Sequence, residues 1–313
     1  MQPIFIGGCE RSGTTLLGAM LGSHRAYLCV PEMQFKFDIR RLIDPGQEDL
    51  VNASAILRTI ARRASFRIWD LGLDLSALPD EQLTCRSLIE WLVLLYGRKV
   101  GKPAPRFWVD HTPKNIRYAR TLFQLFPDAR LIHIVRDGRA VAASVLPLDW
   151  GPNAIESAAH FWAERLAYGF AAESHWSEQV IRVRYEDLVR DPHGTLQDLC
   201  AVFGIPFDSA MSQANGFHVP QYTAGQHALI GQRPDLARVD GWKKQLTTRQ
   251  VEIFESVTTD LLESLGYTPQ FGLHARKISR RERLQASLQE LIKQEVVNRY
   301  RKRRRKAQTI PSF

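Results

Sequence analysis

The sequence predicts an α/β fold: a parallel β-sheet flanked by helices, with a helical insertion and a C-terminal amphipathic helix. Three observations predict it. Short apolar runs such as "PIFIGG" and "ARLIHIVR" have the length and composition of strands buried on both faces. Helix-patterned segments alternate with them, as in crossover connections between parallel strands. Between about residues 38 and 105 that rhythm is lost, and longer helical patterns replace it.

Taken in order, "PIFIGG" is the first strand, ended by glycines that free the backbone to turn. Residues 14–21 then read as a helix with Leu16, Leu17, Met20 and Leu21 along one stripe. "RAYLCV" and "RFWVD" are further strands. Between them, "DLVNASAILRTIARRASFRIWDLGL" and "RSLIEWLVLLYG" read as helices, with loops at "DPGQ" and "GKPAP". This 38–105 segment is read as an inserted lid on the substrate side. The clearest strand is 129–136, preceded by the helix-like "KNIRYARTLFQLF" and followed by "DGRAVAASVL". A long helix covers 154–176, "QVIRVRY" is another strand, and "EDLVRDPHGTLQDLCAVFG" is helical with a break at Pro192. Residues 216–240, rich in Gly, Gln, Pro and His, read as a long loop.

With 313 residues and 44% hydrophobic content, the chain can bury a large core as one domain or at most two. Cys9, Cys29, Cys85 and Cys200 lie far apart, which suits neither a disulfide framework nor a zinc site and fits a reducing compartment. No apolar run reaches the ~18 residues of a membrane span. If Met1 is the native start, the expectation is a cytoplasmic protein, with peripheral contact at the inner membrane surface left open. The formal net charge of +9 is concentrated in the tail: residues 276–306 carry 13 Lys/Arg against 3 Glu. The remainder has 29 basic and 30 acidic side chains, so the high isoelectric point says nothing about the globular body.

Read from Gly8, "GCERSGTT" spells G-x-x-x-x-G-T-T, a phosphate-loop pattern with Thr14 where lysine is usual. A strand, a glycine-rich turn and a helix bring backbone N–H groups to one point, where the helix N-terminus adds roughly half a positive charge. Gly8 and Gly13 allow close approach, Ser12, Thr14 and Thr15 offer hydroxyls, and Arg11 supplies the cation. A sulfuryl group carries less charge than a terminal phosphoryl, so a guanidinium with backbone donors suits it without a metal. The competing reading is a glycine turn that holds no ligand. "HIVRDGRAVAAS" provides a second anion segment: Arg136 ends a buried strand, Asp137 caps the next helix, and Arg139 lies in its first turn. Ser144 lies eight residues beyond Arg136 and can clamp a second phosphate with it. Arg136–Asp137 is equally readable as a structural ion pair.

Together these segments resemble the 3′-phosphoadenosine-5′-phosphosulfate (PAPS)-dependent sulfotransferases. "GGCERSGTTLL" is similar to the family's 5′-phosphosulfate loop and "IHIVRDGRAVAAS" to its 3′-phosphate segment. "PEMQF" places Glu32 21 residues after Arg11, like the glutamate of the tyrosylprotein-sulfotransferase-like branch. "WVDHTPKN", "FPDARLIHIVRD", "VRYEDLVRDP" and "GWKKQL" fall in the family's order. The resemblance covers roughly residues 3–265, apart from the helical insertion. It implies a P-loop-type sulfotransferase domain over 1–275, with 38–105 inserted and 276–313 a basic amphipathic helix and tail.

The resemblance further implies PAPS as donor, PAP as product and no metal. Arg11, Ser12, Gly13, Thr14 and Thr15 would hold the phosphosulfate, with Arg11 also serving catalysis, and Arg136 and Ser144 the 3′-phosphate. Tyr185 would pack near the adenine, or is a core tyrosine. Arg238 or Lys243 would close the 3′-phosphate site. Glu32 is the favoured base. His111 stands where many members have lysine; it would be a protonated helper, or itself the base with Glu32 orienting it, while Lys114 is a third cation that could reach in. The acceptor is a hydroxyl, or an amine, of a peptide tyrosine, a carbohydrate or a small metabolite. In the tail, Leu284, Leu288, Leu291 and Ile292 share one helix face, suited to a membrane surface, a protein partner or the chain's own body. Nucleic acid is not expected, because only Tyr300 interleaves the charges; a homo-oligomer is compatible with the sequence. The rival functions are a P-loop kinase or NTPase, and a non-catalytic binding module acting through the tail.

Overall fold

The computed structural model describes residues 1–41, 50–74, 82–219, 231 and 235–309. Its elements run β1 (Gln2–Gly8), α1 (Thr14–Gly22), β2 (Tyr27–Val30), α2 (Phe35–Arg41), β3 (Leu50–Asn52), α3 (Ala53–Ala61), α4 (Ala64–Arg67), β4 (Gln82–Thr84) and α5 (Cys85–Lys99). They continue with β5 (Phe107–Asp110), a 3₁₀ stretch (Pro113–Tyr118), α6 (Ala119–Leu125), β6 (Arg130–Val135), α7 (Gly138–Val145), α8 (Ile155–His175), β7 (Val180–Arg184), α9 (Tyr185–Arg190) and α10 (Pro192–Phe203). The chain ends with α11 (Ala237–Asp240), α12 (Trp242–Gln245), α13 (Thr248–Ser264), α14 (Arg280–Ile292) and α15 (Arg299–Thr309).

Five strands form one parallel sheet in the order β2-β5-β1-β6-β7. Successive side chains of a strand point to opposite faces, and β1 shows the consequence. Ile4 and Ile6 face a core built with α1 and α10, while Phe5 faces the other, built with Phe35, Trp69, Leu88 and Trp108. Both faces are covered by helices, which is why β1, β2, β5 and β6 are largely apolar, whereas the edge strand β7 carries Arg182 and Arg184. A third cluster joins α7, α8 and α13 around Trp162 and Phe254. β1 is central, with β5 on one side and β6 on the other, so their C-terminal ends open onto one crevice.

The α/β prediction holds, with local differences. The start of "KNIRYARTLFQLF" is 3₁₀ before it becomes α-helical. Pro192 does break the helix, by opening α10 as its first residue, with Asp191 accepting a hydrogen bond from Gly194 N. The segment read as a lid contains a short antiparallel pair, β3 and β4, beside its helices. It is built into the core: Ile56, Trp69, Leu88 and Leu92 are buried in the same cluster as Phe5 and Leu131. The "DPGQ" loop and most of the 216–240 loop lie outside the described residues.

Candidate active site

The turn after β1 must fold back tightly on the sheet. Gly8 pairs with Ile134, whose carbonyl oxygen would lie 2.2 Å from any Cβ at position 8. Arg11 has φ 73° and Gly13 φ 102°, so the loop is wound through two left-handed positions. For arginine that conformation is strained, and such strain persists only where surroundings hold it. Here they do. Arg136 Nη1 donates to the Arg11 carbonyl at 2.9 Å, and Arg11 Nε donates to Ser144 Oγ at 3.1 Å. A Cβ on Gly13 would meet the Tyr185 ring at 2.6 Å. Gly13→Ala is therefore expected to cost about 1–3 kcal/mol, read as a fall in Tm.

Gly13 caps α1 without a side-chain hydrogen bond, and no acidic residue occupies the first turn. The helix N-terminus thus keeps unsatisfied N–H groups beside buried Thr14 and Thr15. Ser12 Oγ is buried and, among the described residues, has no hydrogen-bond partner; the same holds for Arg136 Nε. Burial lowers the pKa of Arg11, and the positive charges of Arg136 and Arg238 lower it further, partly opposed by Glu32. Three guanidiniums in mutual repulsion, around orphaned donors, suit a multiply charged anion. The residues present therefore fit the phosphate groups of a PAPS-like nucleotide.

Arg136 also donates from Nη2 to the Arg238 carbonyl at 2.9 Å and lies 4.2 Å over the Tyr185 ring. Its own carbonyl accepts from Trp162 Nε1 at 3.1 Å. Tyr185 is buried between Arg136 and Gly13, at the back of the loop. Asp137 caps α7 through Arg139 N, as expected. Arg139 itself is not an anion ligand: it is consumed by Asp137, Glu255 and the Thr268 carbonyl and lies over Trp242. Lys243 is exposed and pairs with Asp240 at 2.7 Å, whereas Arg238 is the cation felt by both Arg11 and Arg136.

Glu32 follows β2 on a turn held at both ends of Met33. Met33 N donates to Thr112 Oγ1 at 2.9 Å and to Asp110 Oδ1 at 3.4 Å. Its carbonyl accepts from Lys36 Nζ at 3.1 Å, and the same ammonium meets Asp110 Oδ2 at 2.6 Å. Thr112 donates to Asp110 Oδ1 through both N and Oγ1. The partly buried Glu32 accepts from Gln34 Nε2 at 2.9 Å. Burial raises its pKa to about 7; Asp110 and Glu10 push the same way, while Gln34 and Lys36 oppose. Lys36 and Asp110, both fully buried, had no assigned role in the sequence reading. The one available signal was an aspartate closing the apolar strand "FWVD", which demands a buried partner.

His111 is placed differently from a cationic helper. Its ring is buried edge-on to Phe217, 4.7 Å between centroids, and against Gly18 of α1. Among the described residues neither ring nitrogen has a hydrogen-bond partner. Burial lowers its pKa to about 4 despite Asp110, so the imidazole is neutral at neutral pH. No hydrogen bond joins it to Glu32, and Lys114 is exposed.

A parallel sheet whose first loop and neighbouring strand end bring arginines together is the architecture of an α/β protein of the phosphate-loop type, with a site suited to an anion. The model of the sulfotransferase family matches residues 3–209, and the chain belongs to that family. Protein-tyrosine sulfotransferase of Drosophila melanogaster is 24% identical, over 86% of this chain and 52% of its own length. Protein-tyrosine sulfotransferase 1 of Danio rerio is 27% identical, over 86% of this chain and 73% of its own. The chain thus spans about half the length of the fly relative. Two solved structures share the fold: the sulfotransferase domain from the Synechococcus PCC 7002 olefin synthase and that from the curacin biosynthetic pathway. Their TM-scores are 0.59 and 0.57, each at 20% identity over 85% of this chain, and 94% and 98% of their own.

Proposed function

We propose that the chain moves a sulfuryl group from PAPS to an acceptor hydroxyl, or less readily an amine, releasing PAP. The observation that carries this reading is the Arg11–Ser144 hydrogen bond, which merges the loop and the 3′-phosphate segment into one electropositive site. The donor supplies an activated sulfuryl group with a phosphate leaving group. Arg11, Ser12, Gly13, Thr14 and Thr15, with the N-terminus of α1, bind the phosphosulfate oxygens and offset the charge that develops there. Arg136 and Ser144 hold the 3′-phosphate, and Arg238 rather than Lys243 closes over it. Glu32 takes the proton of the acceptor hydroxyl; with a pKa of about 7 it is a stronger base than an exposed glutamate and still ionises near neutrality. Neutral His111 shapes the floor of the crevice.

The relatives named protein-tyrosine sulfotransferases make a peptide tyrosine the first acceptor to test, ahead of carbohydrates and small metabolites. Transfer from PAPS to such a panel, read by mass spectrometry, tests the reaction. Thermal shift tests the site: PAP is expected to stabilise the protein and ATP with magnesium is not, whereas the reverse result would favour a kinase or NTPase. Arg11→Ala removes a charged donor worth about 1.5–3 kcal/mol. PAP affinity is therefore expected to fall roughly 10- to 150-fold by titration calorimetry; an unchanged affinity rules out the loop as the binding site.

A further inference from the structure

We infer that the outward face of the C-terminal helix is a docking surface for an anionic lipid bilayer. The inference goes beyond the transfer reaction and is independent of it. α14 holds to the body through its polar side. Arg283 pairs with Glu156 at 2.7 Å, and Glu290 accepts from Asn153 N at 2.7 Å and Ser157 Oγ at 2.9 Å. Just beyond it, Lys293 Nζ donates to the Leu146 carbonyl and Asn298 Nδ2 to Asn153 Oδ1, each at 2.7 Å.

The apolar side is turned out. Leu284, Leu288, Leu291, Ile292, Val296 and Tyr300 are all exposed, Leu284 by 73%. Their three- and four-residue spacing keeps them on one face through Val296. A π-helical stretch, Lys293–Asn298, lies near the end of this run. Among the described residues, none of the six belongs to the body's hydrophobic clusters. A helix that packs on its own domain ordinarily buries its apolar stripe. Here the arrangement is inverted.

Charge selects the occupant. Arg301, Lys302, Arg303 and Arg304 stand exposed at the end of the helix, and residues 276–306 carry 13 Lys/Arg against 3 Glu. A second copy would bring two such segments together against their repulsion, and nucleic acid offers no apolar phase for the leucines. An anionic bilayer interface accepts both the stripe and the basic end.

The test is cosedimentation of the full chain with vesicles of phosphatidylcholine, alone or mixed with phosphatidylglycerol. Binding is expected only to the mixed vesicles, weakening as salt is raised. Each basic residue held at such a surface strengthens binding roughly fivefold, so Arg303→Glu with Arg304→Glu is expected to weaken it more than about tenfold. Leu288→Glu with Leu291→Glu is expected to weaken it at least as much, and both pairs leave Tm unchanged because the side chains are exposed. Absence of binding to the mixed vesicles, or binding that survives the leucine pair, overturns the proposal. So does a lipid-free dimer, seen by light scattering, that the leucine pair dissociates.

Discussion

Glu32→Gln is expected to lower kcat by at least about a hundredfold while leaving PAP affinity close to that of the parent. The parent's kcat/KM should rise with pH through about 7, as the carboxyl ionises, and the variant should lose that limb. A stability measurement checks the same group without turnover. The folded pKa lies above the ordinary 4.5, so the folded state holds the proton more tightly than the unfolded chain does. Stability contributed by the protonated carboxyl is fully present below about 4.5 and is lost as pH rises through about 7. Glutamine does not ionise, so the variant should gain Tm over the parent at alkaline pH and not in acid. If the ascending limb survives in Glu32→Gln and disappears in His111→Ala, the base is His111.

Lys36→Met is expected to destabilise the protein by about 3–5 kcal/mol, the cost of stranding a buried charge. Methionine keeps much of the stem's volume, so the loss reports the ammonium. Lys36 Nζ lies 4.1 Å from the Phe37 ring centroid and meets Asp110, and both side chains are fully enclosed. Burial alone would raise the Asp110 pKa; Lys36, with the Thr112 hydrogen bond, overrides it and holds the carboxyl below its usual value. Without Lys36, Asp110 must be buried uncompensated or take up a proton. Adding Asp110→Asn to Lys36→Met should recover part of the loss, measured by urea denaturation, because it removes the stranded charge. Turnover should fall in Lys36→Met more than PAP affinity does, since the ammonium also anchors the Met33 carbonyl beside Glu32. A change below about 1 kcal/mol, the range of an exposed pair, would place Lys36 outside the core.

Much of the fold was legible because its signals are local. Four of the five strands of the parallel sheet carry mainly apolar runs, β7 being interrupted by Arg182 and Arg184, and glycine at 8 and 13 announces a turn that side chains could not make. The antiparallel pair of β3 and β4 was missed because three-residue strands are too short to display a period. Within the candidate site, Arg11, Arg136 and Ser144 were singled out through the spacing of two short segments, and the structure brings the three together by hydrogen bonds. Lys36 was not found. Nothing in "QFKF" distinguishes an ammonium buried against a strand end from one standing in solvent.

Arg139 and Lys243 make the same point from the other side: both were near the right place in sequence, yet each is turned to a carboxylate elsewhere. For His111, composition and position allowed a cation, and only its enclosure by Gly18 and Phe217 makes it neutral. The tail's leucine stripe was plain from helical spacing, but whether it faced inward depended on which groups of the body lay opposite. By itself the sequence determined the α/β architecture, the glycine-rich loop after the first strand and the family, because these rest on near-neighbour patterns of apolarity, glycine and charge. The tertiary structure decided which charges are paired, which are buried and which face the leucines take, because dielectric and partner are set by residues that can lie more than a hundred positions away.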